Sequence, residues 1–126
     1  MVSSELVRDW LSTQGFKHTI DADGDVQFKY QGWTMWATTD EKDQQFLRII
    51  MPGIYNVDDA DRVKVLEIIN AVNRDLKAVK GFLVENRVWL SIEQFVDTSP
   101  EIEDFIERCL DILVAAVNKF LEALKD

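Results

Sequence analysis

Nucleophilic catalysis needs a cysteine or serine within reach of a histidine, and this chain carries a single histidine, His18, and a single cysteine, Cys109. Cys109 falls on the apolar stripe of a C-terminal helix pattern, where a thiol reads as a small core residue. His18 falls in a short strand-like run, and one histidine makes no proton relay. The 23 acidic residues leave room for a paired-carboxylate mechanism, yet most of them sit in turns, caps and solvated helix faces. Asp21-Ala22-Asp23-Gly24-Asp25 opens like a calcium loop. The loop's glycine belongs at its sixth position, where Val26 stands, and Gly32 takes the place of the closing glutamate. Asp-Gly between two strand-like runs is instead a strong hairpin signal. Asn70 and Asn73, three apart, share a helix face. Bonding to nearby backbone, where helix meets strand, is their simpler role than ligand contact. There is no glycine-rich phosphate loop and no Cys/His metal spacing. These residues imply no enzyme, no metal and no cofactor.

Composition points the same way. A chain of 126 residues is one domain by length, spanning 1–126, and buries roughly two-thirds of its surface without staples. A net charge of −9 argues against a nucleic-acid binder, which needs cations to displace counterions, and against docking on an anionic membrane. The longest apolar run, near Ile112 to Val117, is too short to span a bilayer. The first residues are charged and do not read as a secretion signal. A single cysteine fits a reducing compartment, so the cytoplasm is expected.

Hydrophobic periodicity supplies the elements. Leu6, Val7, Trp10 and Leu11 form a one-sided stripe that predicts a first helix, stopped at Gly15. Phe16 to Asp21 reads as a short strand. Val26, Phe28 and Tyr30 alternate with polar residues, Trp33 to Thr38 follows a Gln31-Gly32 turn, and Gln45 to Met51 ends at Pro52-Gly53, which should not continue a ladder. Such short connections make an antiparallel meander. Asp58, Asp59 and Asp61 crowd the start of a second helix, with Val65, Leu66, Ile68, Ile69, Val72 and Leu76 as its buried stripe. Val79 to Val84 and Arg87 to Phe95 read as a hairpin around Glu85-Asn86. Ser99 and Pro100 predict the start of a last helix running to about Lys125. The fold class is α+β with an antiparallel sheet, in the order α-β-β-β(-β)-α-β-β-α.

Two surfaces stand out. If Val26, Phe28, Tyr30, Met35, Leu47, Ile49, Val88, Leu90 and Ile92 face the helices, alternation sends Lys29, Trp36, Phe46, Arg48, Ile50, Lys80, Phe82 and Trp89 to the other side. Aromatics and arginine dominate binding hot spots, so Lys29, Trp36, Phe46, Arg48, Lys80, Phe82 and Trp89 are the candidate partner-binding residues. Either a helix covers this face as a second half-core, or it stays open and suits an acidic, partly apolar peptide. On the last helix, Ile112, Val114 and Ala115 lie outside the main stripe, so the middle of that helix is apolar nearly all round. Either two layers of the domain sandwich it, or a second copy of the chain packs there, with Ile112, Val114 and Ala115 as the expected homodimer contact.

The stretch from Asn70 to Phe95 carries Asn70, Asn73, Lys80, Val88-Trp89-Leu90 and Glu93-Gln94-Phe95. Together with Asp23-Gly24-Asp25, Phe28, Tyr30, Gly32 and the run from Phe46 to Pro52, it resembles the YbjN family of small bacterial proteins, named as sensory-transduction regulators. The resemblance implies an α+β fold similar to the chaperones of type III secretion, whose members are dimers that bind extended segments of partner proteins. It supplies no catalytic residues. The function expected is thus a non-enzymatic regulatory or chaperone-like protein-binding module that recognises a peptide segment of a partner protein; the alternative is a small-molecule sensor holding an apolar anionic ligand between sheet and helix.

Overall fold

The computed structural model describes residues 3–38, 40, 42–97 and 101–126. Helix α1 (Ser3–Gln14) leads into strands β1 (His18–Ile20), β2 (Val26–Tyr30), β3 (Trp33–Ala37) and β4 (Phe46–Asn56). Helix α2 (Arg62–Asp75) follows, then the hairpin β5 (Val79–Val84) and β6 (Arg87–Phe95), a 3-10 turn at Ile102–Asp104, and helix α3 (Ile106–Leu124). The strands form one antiparallel sheet in the order β1-β2-β3-β4-β6-β5. The α+β order expected from periodicity is therefore the order observed, including the extra short strand at the sheet margin.

All three helices lie on one side of the sheet. The strand residues assigned to that side, from Val26 and Phe28 through Leu90 and Ile92, are buried in one cluster. The same cluster holds Val7 and Leu11 of α1, Val65, Ile69 and Val72 of α2, and Leu110, Leu113, Val117 and Phe120 of α3. Each such side chain contributes about 1.5–3 kcal/mol by leaving water. The space between sheet and helices is filled by large side chains, among them Phe28, Met35, Leu90 and Phe120.

Local chemistry explains the turns. At the β1–β2 hairpin the Asp21 carboxylate accepts the backbone N–H groups of Asp23 (2.9 Å) and Asp25 (3.0 Å). The acidic run is thus a hairpin turn that uses its own carboxylate to satisfy the backbone. Among the described residues, no group of three or more His, Cys, Asp or Glu could hold a metal ion.

Four local expectations change. Strand β1 is three residues long, shorter than the run from Phe16 to Asp21. Strand β4 does not end at Pro52-Gly53. Its ladder with β6 pairs Met51 with Leu90 and then Tyr55 with Val88, so Pro52, Gly53 and Ile54 bulge opposite Trp89 alone. Gly53 takes φ of 64° there, a conformation open to glycine at little cost, and a bulge is where a strand tolerates proline. The last helix begins at Ile106, because Phe105 (φ −139°, ψ −12°) interrupts it after the 3-10 turn. Ile102 and Ile106 on either side of the break are both buried in the core. The predicted start at Thr98-Ser99-Pro100 lies outside the described residues. Leu66, placed in the buried stripe of α2, is 45% exposed, because the helix turns it away from Val65 and Ile69.

The excess apolar residues of α3 have a packing role. Leu110, absent from the predicted stripe, is fully buried. Ile112 and Val114 flank the stripe, half-buried against the core, and Ala115 is exposed between Asp111 and Asn118.

Candidate functional site

The face of the sheet away from the helices carries the candidate residues. Ladder register sets their arrangement. Gln27 pairs with Trp36, Trp36 with Ile50, Ile50 with Ser91, and Ser91 with Lys80, so one row crosses five strands. On one side of this row Arg48 pairs with Glu93, and beyond it Phe46 with Phe95. On the other side Phe82 pairs with Trp89. Trp36, Phe46, Phe82 and Trp89 are half-buried by their neighbours. Phe82 and Trp89 pack with ring centroids 6.3 Å apart, and Phe46 and Phe95 at 6.0 Å. Phe95 stands out at 82% exposed. No described helix packs on this side, so of the two alternatives drawn from the sequence, the open face is the one observed.

A charged cluster lies among the aromatics. Glu93 Oε1 is 3.0 Å from Lys80 Nζ and 3.5 Å from Arg48 Nε. The Lys80 ammonium also sits 5.6 Å from the Phe82 ring centre, within cation–π range. Beneath these groups Ile50 and Ser91 are buried by the side chains around them. Among the described residues, Arg48 Nε and Ser91 Oγ are buried without a hydrogen bond; Arg48 Nε is instead ion-paired with Glu93 at 3.5 Å, longer than an ordinary hydrogen bond.

Arg48, Lys80, Trp36, Phe46, Phe82 and Trp89 are thus brought together. Lys29 is not. It pairs with Thr34, two strands and four ladder positions from Arg48, roughly 17 Å at ordinary strand spacings. Alternation missed nothing in principle: counting on from Trp89 in twos reaches Ser91, Glu93 and Phe95, the residues that complete the cluster and that reasoning by residue type alone passed over.

The remaining candidates have structural employment. Asn73 of α2 accepts the Gly81 N–H at 2.7 Å and donates to the Gly81 carbonyl at 3.2 Å; Asn70, one turn earlier, faces solvent. His18 Nδ1 donates to the Phe16 carbonyl at 3.1 Å, which leaves Nε2 to accept from the Ser12 hydroxyl at 3.4 Å. Cys109 is buried, and burial pushes its thiol above the usual range, the reverse of an activated nucleophile.

Comparison with known proteins agrees with this architecture. A search among curated protein sequences found no relative. Among solved structures, the fold is similar to YbjN from E. coli, with a TM-score of 0.72 at 14% identity, covering 96% of this chain and 90% of the other. It is also similar to an uncharacterized protein from Methanothermobacter thermautotrophicus, with a TM-score of 0.66 at 17% identity and 98% of each chain covered. The family model TY-Chap1, described as T3SS (YopN, CesT) and YbjN peptide-binding chaperone 1, matches residues 2–126. With the fold and the matched length in agreement, the chain belongs to the TY-Chap1 family of peptide-binding chaperones.

Proposed function

We propose that this protein is a non-enzymatic chaperone-like module that holds a peptide segment of a partner protein on the open face of its sheet. The observation that carries the reading is the row of half-buried Trp36, Phe46, Phe82 and Trp89, joined by exposed Phe95, on a sheet face that no described helix covers. Rigid aromatic rings offer large contact area at small entropic cost, and interface hot spots are enriched in them. Arg48 and Lys80 favour acidic positions in the segment, moderated by Glu93 between them.

Affinity capture from a lysate of the native host tests this, with native bait beside a bait carrying Trp36→Ala and Arg48→Glu. The expected result is one protein enriched by the native bait, lost with the double variant, and cross-linked through the Trp36–Trp89 region. Equal capture by both baits, or none by either, overturns the reading.

We further propose a reducing, cytoplasmic setting, on the strength of the free buried Cys109. A homodimer through α3 would use Ala115 with the exposed edges of Ile112 and Val114. Light scattering at micromolar concentration decides that point, and a monomer mass removes the dimer.

A further inference from the structure

The open face repeats along its strands. Strand β6 pairs without interruption with β4 from Phe95 to Leu90, and with β5 from Ile92 to Arg87. Its outward residues therefore stand in rows two residues, or roughly 6.7 Å, apart. Phe46 and Phe95 form the first row, Arg48 and Glu93 the second, Ser91 and Lys80 the third, and Phe82 and Trp89 the fourth. Lys80 reaches back from its own row, with Nζ 3.0 Å from Glu93 Oε1, so both cations gather around one carboxylate. The two ends of the face are thus apolar and the middle carries an excess of positive charge. From Trp89 to Phe95 is six residues of β6, roughly 20 Å.

An extended chain laid along these strands turns alternate side chains toward the sheet every roughly 6.7 Å, the repeat of the rows themselves. A helix returns to one face every turn, about 5.4 Å, and falls out of step by about 4 Å over three rows. In a protein of net charge −9, the local cationic excess between two aromatic pairs complements a single negative side chain. We propose that the occupant of this face is an extended segment with apolar residues at positions i and i+6 and an acidic residue at i+2 or i+4. The apolar side chains lie on the Phe46–Phe95 and Phe82–Trp89 pairs, and the carboxylate lies between Arg48 and Lys80. The pattern rests on the reading of the open face as a peptide site, and adds the spacing and chemistry of the segment. Position i+2 counted from one end is i+4 counted from the other, so either chain direction satisfies it.

Three capped seven-residue peptides, titrated into the 15N-labelled protein, test the spacing. The first has phenylalanine at positions 1 and 7, glutamate at 3 and serine elsewhere. The second moves the last phenylalanine to position 4, and the third replaces the glutamate with glutamine. Saturating amide shifts at residues 48, 80, 82, 89 and 95 are expected with the first peptide. Its affinity should exceed that of each control by about tenfold or more, since each control loses one hot-spot contact. Phe95→Ala removes a ring that is 82% exposed and outside the core, and should bring the first peptide close to the affinity of the second. Equal binding of the first peptide and either control overturns the pattern and leaves peptide binding standing. So does silence toward all three peptides in a protein that still captures a partner through Trp36 and Arg48. Silence together with failed capture removes the peptide site and the pattern with it. Shifts at these residues that follow protein concentration without any peptide assign the face to a second copy of the chain, and overturn the pattern too.

Discussion

Asn73 holds both backbone groups of Gly81, accepting its N–H at 2.7 Å and donating to its carbonyl at 3.2 Å. Strand β5 is the edge of the sheet, with β6 on its inner side only. The side chain of a helix residue therefore stands in for a neighbouring strand at that position, and blocks the addition of another. The approach is close: a Cβ on Gly81 would lie 3.2 Å from Leu90 Cδ2 and 3.3 Å from Ile69 Cγ2. Glycine is needed here because the helix sits directly on the strand.

Asn73→Ala leaves the buried Gly81 backbone with an unpaired donor and acceptor, and should destabilise by about 1–3 kcal/mol. Urea unfolding should show a lower midpoint with an unchanged slope. Asn70→Ala, on the exposed side of the same helix, should stay within about 0.5 kcal/mol of the native protein. Equal losses in the two variants would refute the strand-mimic role.

On the open face, stability and binding should separate at Phe95. Because it is 82% exposed, Phe95→Ser removes little buried area and should change stability by no more than about 0.5 kcal/mol. Its effect on partner binding should be large, since an exposed aromatic at a hot spot is worth about 2 kcal/mol or more. Thermal unfolding beside a binding titration of the captured partner reads both quantities. A Phe95→Ser protein that binds as the native one does would remove that end of the face from the site.

Both tyrosines should resist ionisation in the folded protein. Burial, and then the hydrogen bond to Asp111 at 2.6 Å, pushes Tyr30 up to about 12. Tyr55 is raised chiefly by its hydrogen bond to Asp61. A group that keeps its proton longer when folded makes the folded state the greater proton binder above the unfolded value near 10. Stability should therefore fall as pH rises from about 10 to 12. Phenolate absorbance should rise near pH 10 in urea and later in native buffer, and Tyr30→Phe should flatten the alkaline loss of stability. Coincident titration curves in the two solvents would contradict this.

Much of this fold was legible because the sheet is covered on one side only. Alternation through Val26, Phe28 and Tyr30, and through Val88, Leu90 and Ile92, maps directly onto buried positions. The same rule placed Trp36, Arg48, Phe82 and Trp89 together on the other side. What periodicity could not supply is three-dimensional. Pro52-Gly53 reads as a strand end because a bulge opposite Trp89 depends on a partner strand forty residues or so downstream. Leu66 reads as core because it neighbours Val65, yet only the helix's seating decides which edge of a stripe meets water.

Glu93 should act as a brake on acidic partners. It faces Lys80 at 3.0 Å and Arg48 at 3.5 Å, with these side chains 27%, 55% and 34% exposed respectively. Ion pairs so open to water stabilise a fold by about 0–1 kcal/mol, so Glu93→Gln should barely move the unfolding midpoint. It does release two cations among the aromatic rings, where a bound peptide excludes water and strengthens their field. Binding of an acidic segment should therefore tighten, and its dependence on salt should steepen, because more unscreened charge meets the ligand. Titrating the captured partner at low and high sodium chloride measures both. If Glu93→Gln weakens binding at low salt, the carboxylate is holding Arg48 and Lys80 in their binding positions, and its role is to order the site.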